Sequence, residues 1–249
     1  MDDAQAKRFL ELAQRAWNQG TYAFTNFLDL AALTCFYQTA PALPPVPYAL
    51  FGGAEGCERK VLRLGDEGFC GYDQPFPIAC LKITPVNPRF AEPLTHRDFL
   101  GALMALGVQR ELLGDIIVRE NETYLFCLER IADYIAVNFT QARHTALRCQ
   151  RVDAPPAGAL FTLRRQTVRL SSERLDALVA HVYKLSRGDA QALFPAGKIF
   201  VDGRLCENTG AAPKAGQIIS VRGFGRFRYQ GLDSLSKKGK SNVVVELYV

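Results

Sequence analysis

Long apolar runs are missing from this 249-residue chain. No stretch approaches the roughly 20 consecutive apolar residues that a membrane span needs. The opening MDDAQAKRFLELAQRAW places acids first and contains no apolar block, unlike a secretory signal. Histidine is scarce, with three in the chain, and none stands beside cysteines or acids at ligand spacing. A metal site, metal catalysis and a bound cofactor are therefore not expected. Cysteine occurs seven times, at Cys35, Cys57, Cys70, Cys80, Cys127, Cys149 and Cys206, but without a Cys-x-x-Cys pair. The odd number and irregular spacing argue against a disulfide framework and against zinc. Reduced structural thiols in a cytoplasmic protein are the expectation, since a free Cys inside an apolar run acts as a small hydrophobe.

Positive charge is also in short supply over most of the length. Residues 1–163 hold 15 Lys and Arg against 18 Asp and Glu, whereas residues 164–249 hold 15 against 7. The overall +5 thus hides an excess of +8 in the last third. Such asymmetry points to an anionic partner at that end.

The apolar spacing of Phe9, Leu10, Ala13, Ala16 and Trp17 predicts a helix. After Gly20 the spacing of Phe24, Phe27, Leu28, Leu30, Ala31 and Leu33 extends the helical reading through residues 3–38. These helices are core or a docking surface for a protein partner. Pro41–Pro47 reads as a stiff extended connector, because Pro fixes φ and lacks a donor. Gly52 and Gly53 mark a turn without the Gly-Lys-Ser/Thr ending of a phosphate loop. Glu58, Arg59 and Lys60 then read as a solvated face, and Lys60–Leu64 alternates like a strand.

The middle of the chain has the clearest pattern. IACLKITP is a strand, and THRDFLGALMALG is a helix. Thr95 and Asp98 stand at capping-box spacing, Leu94 and Phe99 form a staple, and Gly107 is the stop. DIIVRENETYLFCL is a hairpin turning at Glu120–Glu122, ERIADYIAVNF a second helix and HTALRCQRV a closing strand. The order β-α-β-β-α-β is the ferredoxin-like plan. Tyr124 and Phe126 alternate on one strand, either as a face for stacking bases or as core packed under a helix. His96-Arg97-Asp98 spells a kinase triplet with none of its companion motifs, so it reads as a helix start.

APPAG (Ala154–Gly158) is a boundary, beyond which lies the basic module. Ser171 or Ser172 is placed to cap its first helix, whose apolar stripe is Leu175, Leu178, Val179 and Val182. Ser186, with Asp189 at capping-box spacing, opens a second helix that ends at Pro195 and Gly197. KIFVDGRL gives a strand and an Asp202–Gly203 turn, and the tail gives two strands around a turn carrying Lys237, Lys238 and Lys240. Arg169, Arg174, Lys184, Arg187, Lys198, Arg204, Arg222 and Arg226 are the candidate phosphate ligands: Arg offers a planar fork of donors and Lys a mobile charge. Ser172 and Ser186 complete the candidate RNA-binding set.

Arg174-Leu175-Asp176, Leu185-Ser186-Arg187, Gly197–Gly203 and Gly216–Val221 resemble the small RNA-binding domain named for ribosomal protein S-four. Usual versions carry Asn at the position of Asp202 and Gly-Asp at Gly216-Gln217, so Asp202 adds a negative charge near the expected RNA face. Upstream, Phe51–Lys60, Thr95–Ile116 and Ser220–Tyr229 resemble the YlmH family of bacterial and plastid proteins. The resemblance implies an α+β protein of three parts. These are an N-terminal α-rich domain with short strands (1–75), a ferredoxin-like RNA-binding domain (76–153) and an S-four-type domain with a β extension (160–249). It also implies a non-enzymatic factor that meets ribosomal RNA and tRNA on the large ribosomal subunit in rescue of stalled translation, and a link to cell division in some bacteria. In this domain type the first-helix Arg and the Ser-Arg turn carry the contact, which here means Arg174, Ser186 and Arg187.

An enzyme reading fits less well. Arg174-Leu175-Asp176 echoes a pseudouridine synthase motif, but too few residues follow it for that catalytic domain. Ser236–Ser241 resembles a synthetase loop without its His-x-Gly-His partner, and Gly223-Phe224-Gly225 precedes no helix.

Overall fold

The computed structural model describes residues 3–155, 160–235 and 240–248. They fall into two compact units, residues 1–160 and 161–249. No helix among the described residues is long and apolar enough to cross a membrane. The first unit contains two hydrophobic cores and the second contains one.

The first core is built by α1 (Asp3–Gln19), β1 (Ala23–Leu28), α2 (Leu30–Thr39), β2 (Tyr48–Phe51), β3 (Lys60–Leu64) and the short α3 (Glu67–Cys70). Phe9, Ala13 and Ala16 of α1 meet Phe36 of α2 and Leu62 and Leu64 of β3. Helix over 3–38 is therefore wrong at its centre, where residues 23–28 are a strand in a sheet ordered β1-β3-β2. The register slips between Phe24 and Phe27, and Thr25 Oγ1 there accepts the Leu62 N–H at 3.0 Å. The bulge reproduces an i, i+3, i+4 apolar spacing without a helix. Pro41–Pro47 does not bridge domains: Ala40–Ala42 form a 3₁₀ turn, and Val46 is buried in the same core.

The second core belongs to β4 (Ile78–Pro85), α4 (His96–Ala105), β5 (Leu113–Val118), β6 (Thr123–Leu128), α5 (Glu129–Asn138), β7 (Gln141–Ala142) and β8 (Thr145–Val152). The antiparallel sheet runs β5-β6-β4-β8-β7. Leu81, Ile83, Leu125 and Cys127 turn to Phe99 and Leu103 of α4 and Ala132 and Ile135 of α5. Asp98 Oδ2 accepts the Thr95 N–H at 2.8 Å and its hydroxyl at 2.7 Å, as the capping spacing predicted.

The opposite face of this sheet departs from both readings of Tyr124 and Phe126. Phe126 is 1% exposed, and the Gly52–Gly53 turn rests on its ring. A Cβ on Gly53, whose φ is +100°, would stand 2.2 Å from that ring. Tyr124 is 2% exposed, with Lys82 and Arg119 lying over it. Neither ring is open to a base, and neither lies under a helix.

Arg59 is likewise not on a solvated face. Its guanidinium donates to the carbonyls of Leu113 (2.8 Å), Phe27 (3.1 Å) and Arg110 (3.3 Å), joining the two cores. The Asp115 carboxylate accepts the amides of Glu58 and Arg59. Burial lowers the Arg59 pKa and, with the neighbouring Arg59 charge, brings Arg110 down to about 10.

The second unit comprises β9 (Leu163–Leu170), α6 (Leu175–Tyr183), α7 (Arg187–Ala192), β10 (Ile199–Val201), β11 (Arg204–Leu205), β12 (Ile218–Val221), β13 (Gly225–Leu235) and β14 (Ser241–Tyr248). Its antiparallel sheet runs β11-β10-β12-β13-β14-β9. Leu175, Leu178, Val179 and Val182 of α6 pack on Ile219, Phe227, Val243 and Val245. Strand β9 escaped the sequence reading, because LRRQTVRL buries only Val168 and Leu170. The Gly158 end of the expected boundary, Lys237 and Lys238 lie outside the described residues.

Candidate nucleic-acid interface

Helix α6 starts later than a Ser171 or Ser172 cap would place it. Arg174 is the N-cap, with no side-chain cap bond. The first-turn amides are instead satisfied by a neighbouring loop, Leu175 N–H by Ala211 O (2.8 Å) and Asp176 N–H by Thr209 O (3.1 Å). Both serines stay exposed.

This start buries Asp176 completely, at 0% exposure. Arg174 grips the carboxylate with both arms of its fork, Nε to Oδ1 at 3.1 Å and Nη2 to Oδ2 at 3.2 Å. Gln191 of α7 donates to Oδ2 at 2.7 Å, the Ala177 N–H donates to Oδ1 at 2.8 Å, and Arg187 Nε lies 3.5 Å from Oδ2. Burial alone would raise the acid's pKa. The hydrogen bonds from Arg174, Gln191 and Ala177 outweigh it and hold the value down at about 2. One buried carboxylate thus fixes two partly exposed guanidinium groups, with 40% and 63% of their side-chain surface open to solvent.

Ser186 caps α7, accepting the Asp189 N–H at 3.1 Å and donating to Asp189 Oδ2 at 2.7 Å. Its hydroxyl is committed to the turn, so it orients Arg187, the first residue of the helix. Lys184 ends α6 in the left-handed region with φ +55°, which turns the chain sharply between the helices. A hollow of about 540 Å³ opens beside this turn, lined by Ser171, Ser172, His181, Lys184, Leu185 and Arg187 among others. His181 Nδ1 lies 2.9 Å from the Ala177 carbonyl, which can only accept, so the proton sits on Nδ1.

The remaining candidates do not join this group. Val168 and Leu170 are core, so strand alternation sends Arg169 to the opposite sheet face, where it bonds Asn242 at 3.2 Å. Arg226, beside the core residue Phe227, sits between the rings of Phe161 (4.7 Å) and Tyr248 (4.4 Å). Arg222 lies over Phe200 at 5.0 Å, and its amide bonds the Lys198 carbonyl. Lys198 and Arg204 are exposed at the β10–β11 hairpin. The turn of that hairpin has Asp202 at φ +49° and Gly203 at +79°. Asp202 accepts from the Ile218 amide (2.9 Å) and from the Gln217 side chain (3.0 Å). The two departures from the usual S-four-type sequence therefore face one another. Asp202 takes its hydrogen bonds from within the protein.

Asp176, Gln191 and His181 were not among the sequence candidates. The i, i+2 spacing of Arg174 and Asp176 was the available signal, but it resembled a catalytic motif. Gln191 carries no signal at all.

Arg187, with serines, a lysine and a histidine around a shallow hollow, and Arg174 on the other side of the shared Asp176 carboxylate make a surface suited to phosphate oxygens. Comparisons with known proteins supply the family. Residues 73–155 match the family model described as "Putative RNA-binding domain in YlmH". The chain is 32% identical over 249 residues to the "Ribosome-associated protein quality control protein P2" of Bacillus subtilis (strain 168), across 95% of this chain and 91% of that one. It belongs to the YlmH family. A solved structure, "Cell division protein ylmH from Streptococcus pneumoniae", aligns with a TM-score of 0.48 at 18% identity, over 61% of this chain and 90% of that chain.

Proposed function

We propose that this chain is a non-enzymatic RNA-binding factor of the ribosome that acts in quality control of stalled translation. In this reading the second unit is an S-four-type domain that meets ribosomal RNA of the large subunit and the tRNA or peptidyl-tRNA beside it. Arg174 and Arg187 are its principal phosphate ligands, and Ser172, Lys184 and Ser186 line or shape the contact. The observation that carries the reading is Asp176, buried, hydrogen-bonded to Arg174 and ion-paired with Arg187. Fixing the two forks before RNA arrives reduces the side-chain entropy lost on binding. The same burial speaks against Asp176 as a nucleophile, which would have to reach a substrate.

The printed name of the Bacillus relative supports the ribosomal setting, and the charge excess in residues 164–249 supports a polyanionic partner there. A ferredoxin-like fold for residues 76–153 is supported by the β-α-β-β-α-β order and by a sheet whose second hairpin strand pairs beside the first strand. With Tyr124 and Phe126 covered, this domain contacts RNA by another surface or serves as a spacer. The test is sedimentation with purified large subunits in low salt. The chain is expected to travel with the subunit and to be stripped from it as salt rises. Sedimentation with free protein alone at low salt would reject the ribosomal assignment.

A further inference from the structure

The N-terminal three-stranded sheet has an outer face that the RNA-binding reading leaves unused. Phe24 of β1 stands in register with Arg63 of β3, and the segment after α3 crosses over them. Rings follow one another along this face. Phe51 meets Phe76 at 5.5 Å, Phe76 meets Phe24 at 6.1 Å, and Phe24 stacks on Tyr22 at 6.1 Å. Tyr22 in turn meets Tyr72 at 5.2 Å. Nearby Trp17 stacks on Phe69 at 5.8 Å, beside Cys70, which shares the neighbourhood of Gly65 with Tyr22.

Three of these rings remain well exposed: Trp17 at 44%, Phe51 at 40% and Tyr72 at 46%. The surface already holds one cation. The Arg63 guanidinium lies 4.9 Å from the Phe76 ring and 5.5 Å from Tyr22, while its buried Nε has no hydrogen-bond partner. Its Nη1 donates to the Gln74 carbonyl at 3.1 Å, and the two rings flank the rest of the guanidinium. The rim is acidic: Asp73 approaches Arg63 at 4.0 Å, and Asp66 and Glu67 open α3 beside Phe69. Residues 1–163 as a whole carry an excess of acids, 18 against 15 Lys and Arg. Aromatic rings with an acidic rim repel a phosphate backbone and suit arginine and lysine side chains.

We propose that this aromatic face docks a basic, arginine- and lysine-bearing segment of a partner protein. The two ends of the chain then take partners of opposite charge, RNA at the basic unit and a cationic protein segment at the N-terminal sheet. The partner's cations stack on Phe51 and Tyr72 and pair with Asp73 and Glu67, much as Arg63 stacks on Phe76 and Tyr22 and pairs with Asp73 within the chain.

The single tryptophan of the chain, Trp17, stacks on Phe69 beside this surface and serves as its nearby reporter. The experiment titrates the full-length protein with an oligo-arginine peptide in low salt, reading Trp17 emission. Oligo-glutamate and single-stranded oligo-uridylate are titrated in parallel. Oligo-arginine is expected to give a saturable change, and the other two none. A Phe51→Ala/Tyr72→Ala variant, which keeps Trp17, is expected to bind about tenfold more weakly, as loss of two ring–cation contacts implies. Asp73→Asn with Glu67→Gln, which leaves every ring in place, is expected to weaken binding in the same direction. No saturable change with oligo-arginine, or wild-type affinity in both variants, overturns the proposal. A saturable response to oligo-uridylate that the ring variant loses would make the face an RNA-stacking surface instead. Ligand-free self-association abolished by the ring variant would assign the face to a second copy of the chain and equally overturn it.

Discussion

Replacing Asp176 with Asn separates positioning from simple charge. The two side chains have nearly the same shape, and the substitution removes one negative charge from beneath the proposed RNA surface. If Arg174 and Arg187 acted only as point charges, RNA would bind the variant more tightly, because the surface becomes more positive. If Asp176 aims them, binding weakens. Asn keeps one acceptor oxygen for Ala177 or Gln191 but cannot take both arms of Arg174. The stability cost follows from the carboxyl pKa, which lies near 2 in the fold against about 4 for an unburied aspartate. Just under two pH units of linkage corresponds to about 2 kcal/mol. The folded-state pKa is depressed, so this contribution is complete above roughly pH 4 and fades as the pH falls toward 2. Denaturant unfolding of wild type and variant should therefore differ by about 2 kcal/mol at neutral pH and converge in acid. RNA affinity, read by fluorescence anisotropy across a salt series, should fall about tenfold, and the slope of log K against log salt should become shallower. Tighter binding with an unchanged slope would refute the positioning role even if the protein is less stable.

Three further outcomes follow from the same structure. Gly53→Ala forces an alanine into φ +100° with its Cβ against the Phe126 ring. It should destabilise the first unit by about 2 kcal/mol or more in denaturant melts, and unchanged stability would mean the turn does not rest on that ring. Burial pushes the thiols of Cys80 up to about 11 and of Cys127 and Cys149 up to about 12. Alkylation of native protein at pH 8, mapped by mass spectrometry, should label the partly exposed Cys70 and Cys206 before these three, and early labelling of Cys127 would contradict the packing. Arg59→Met leaves the Phe27 carbonyl without its guanidinium donor and should cost about 1–3 kcal/mol. Denaturant unfolding reads that loss, and an unchanged midpoint would contradict the bridging role of the guanidinium.

Local chemistry was the most legible part of the chain. Thr95 with Asp98 and Ser186 with Asp189 announce helix starts, because a hydroxyl and a carboxylate at that spacing can satisfy free amides in few other ways. The alternation from Ile78 to Val152 likewise led directly to the order of strands and helices. Long-range choices were harder to read. Residues 23–28 copy a helical apolar spacing because a bulge and the Thr25 hydroxyl rearrange the strand, and only the partner strand reveals this. Tyr124 and Phe126 carry an alternation compatible with an open face, and what covers Phe126 is a glycine turn more than 70 residues earlier in the chain. At the candidate site, residue type pointed to Arg174 and Arg187. The carboxylate that joins them looked like a fragment of a catalytic motif, because burial is not written in a triplet. Arg169 and Arg226 were grouped with them by charge, though the sheet sends them to its other face.

The central claim, that RNA is held by the braced arginine pair, is tested most directly by comparing two double variants. Arg174→Ala/Arg187→Ala removes the pair on the helical side, and Arg169→Ala/Arg226→Ala removes the same charge from the outer face of the sheet. Affinity for a large-subunit ribosomal RNA fragment is measured for both over a series of salt concentrations. The first variant should lose at least about tenfold in affinity and lower the salt slope by about 1 to 2, as expected for one or two lost phosphate contacts, while the second changes much less. Equal losses in the two variants would mean that net charge, and not the Asp176-braced pair, holds the RNA.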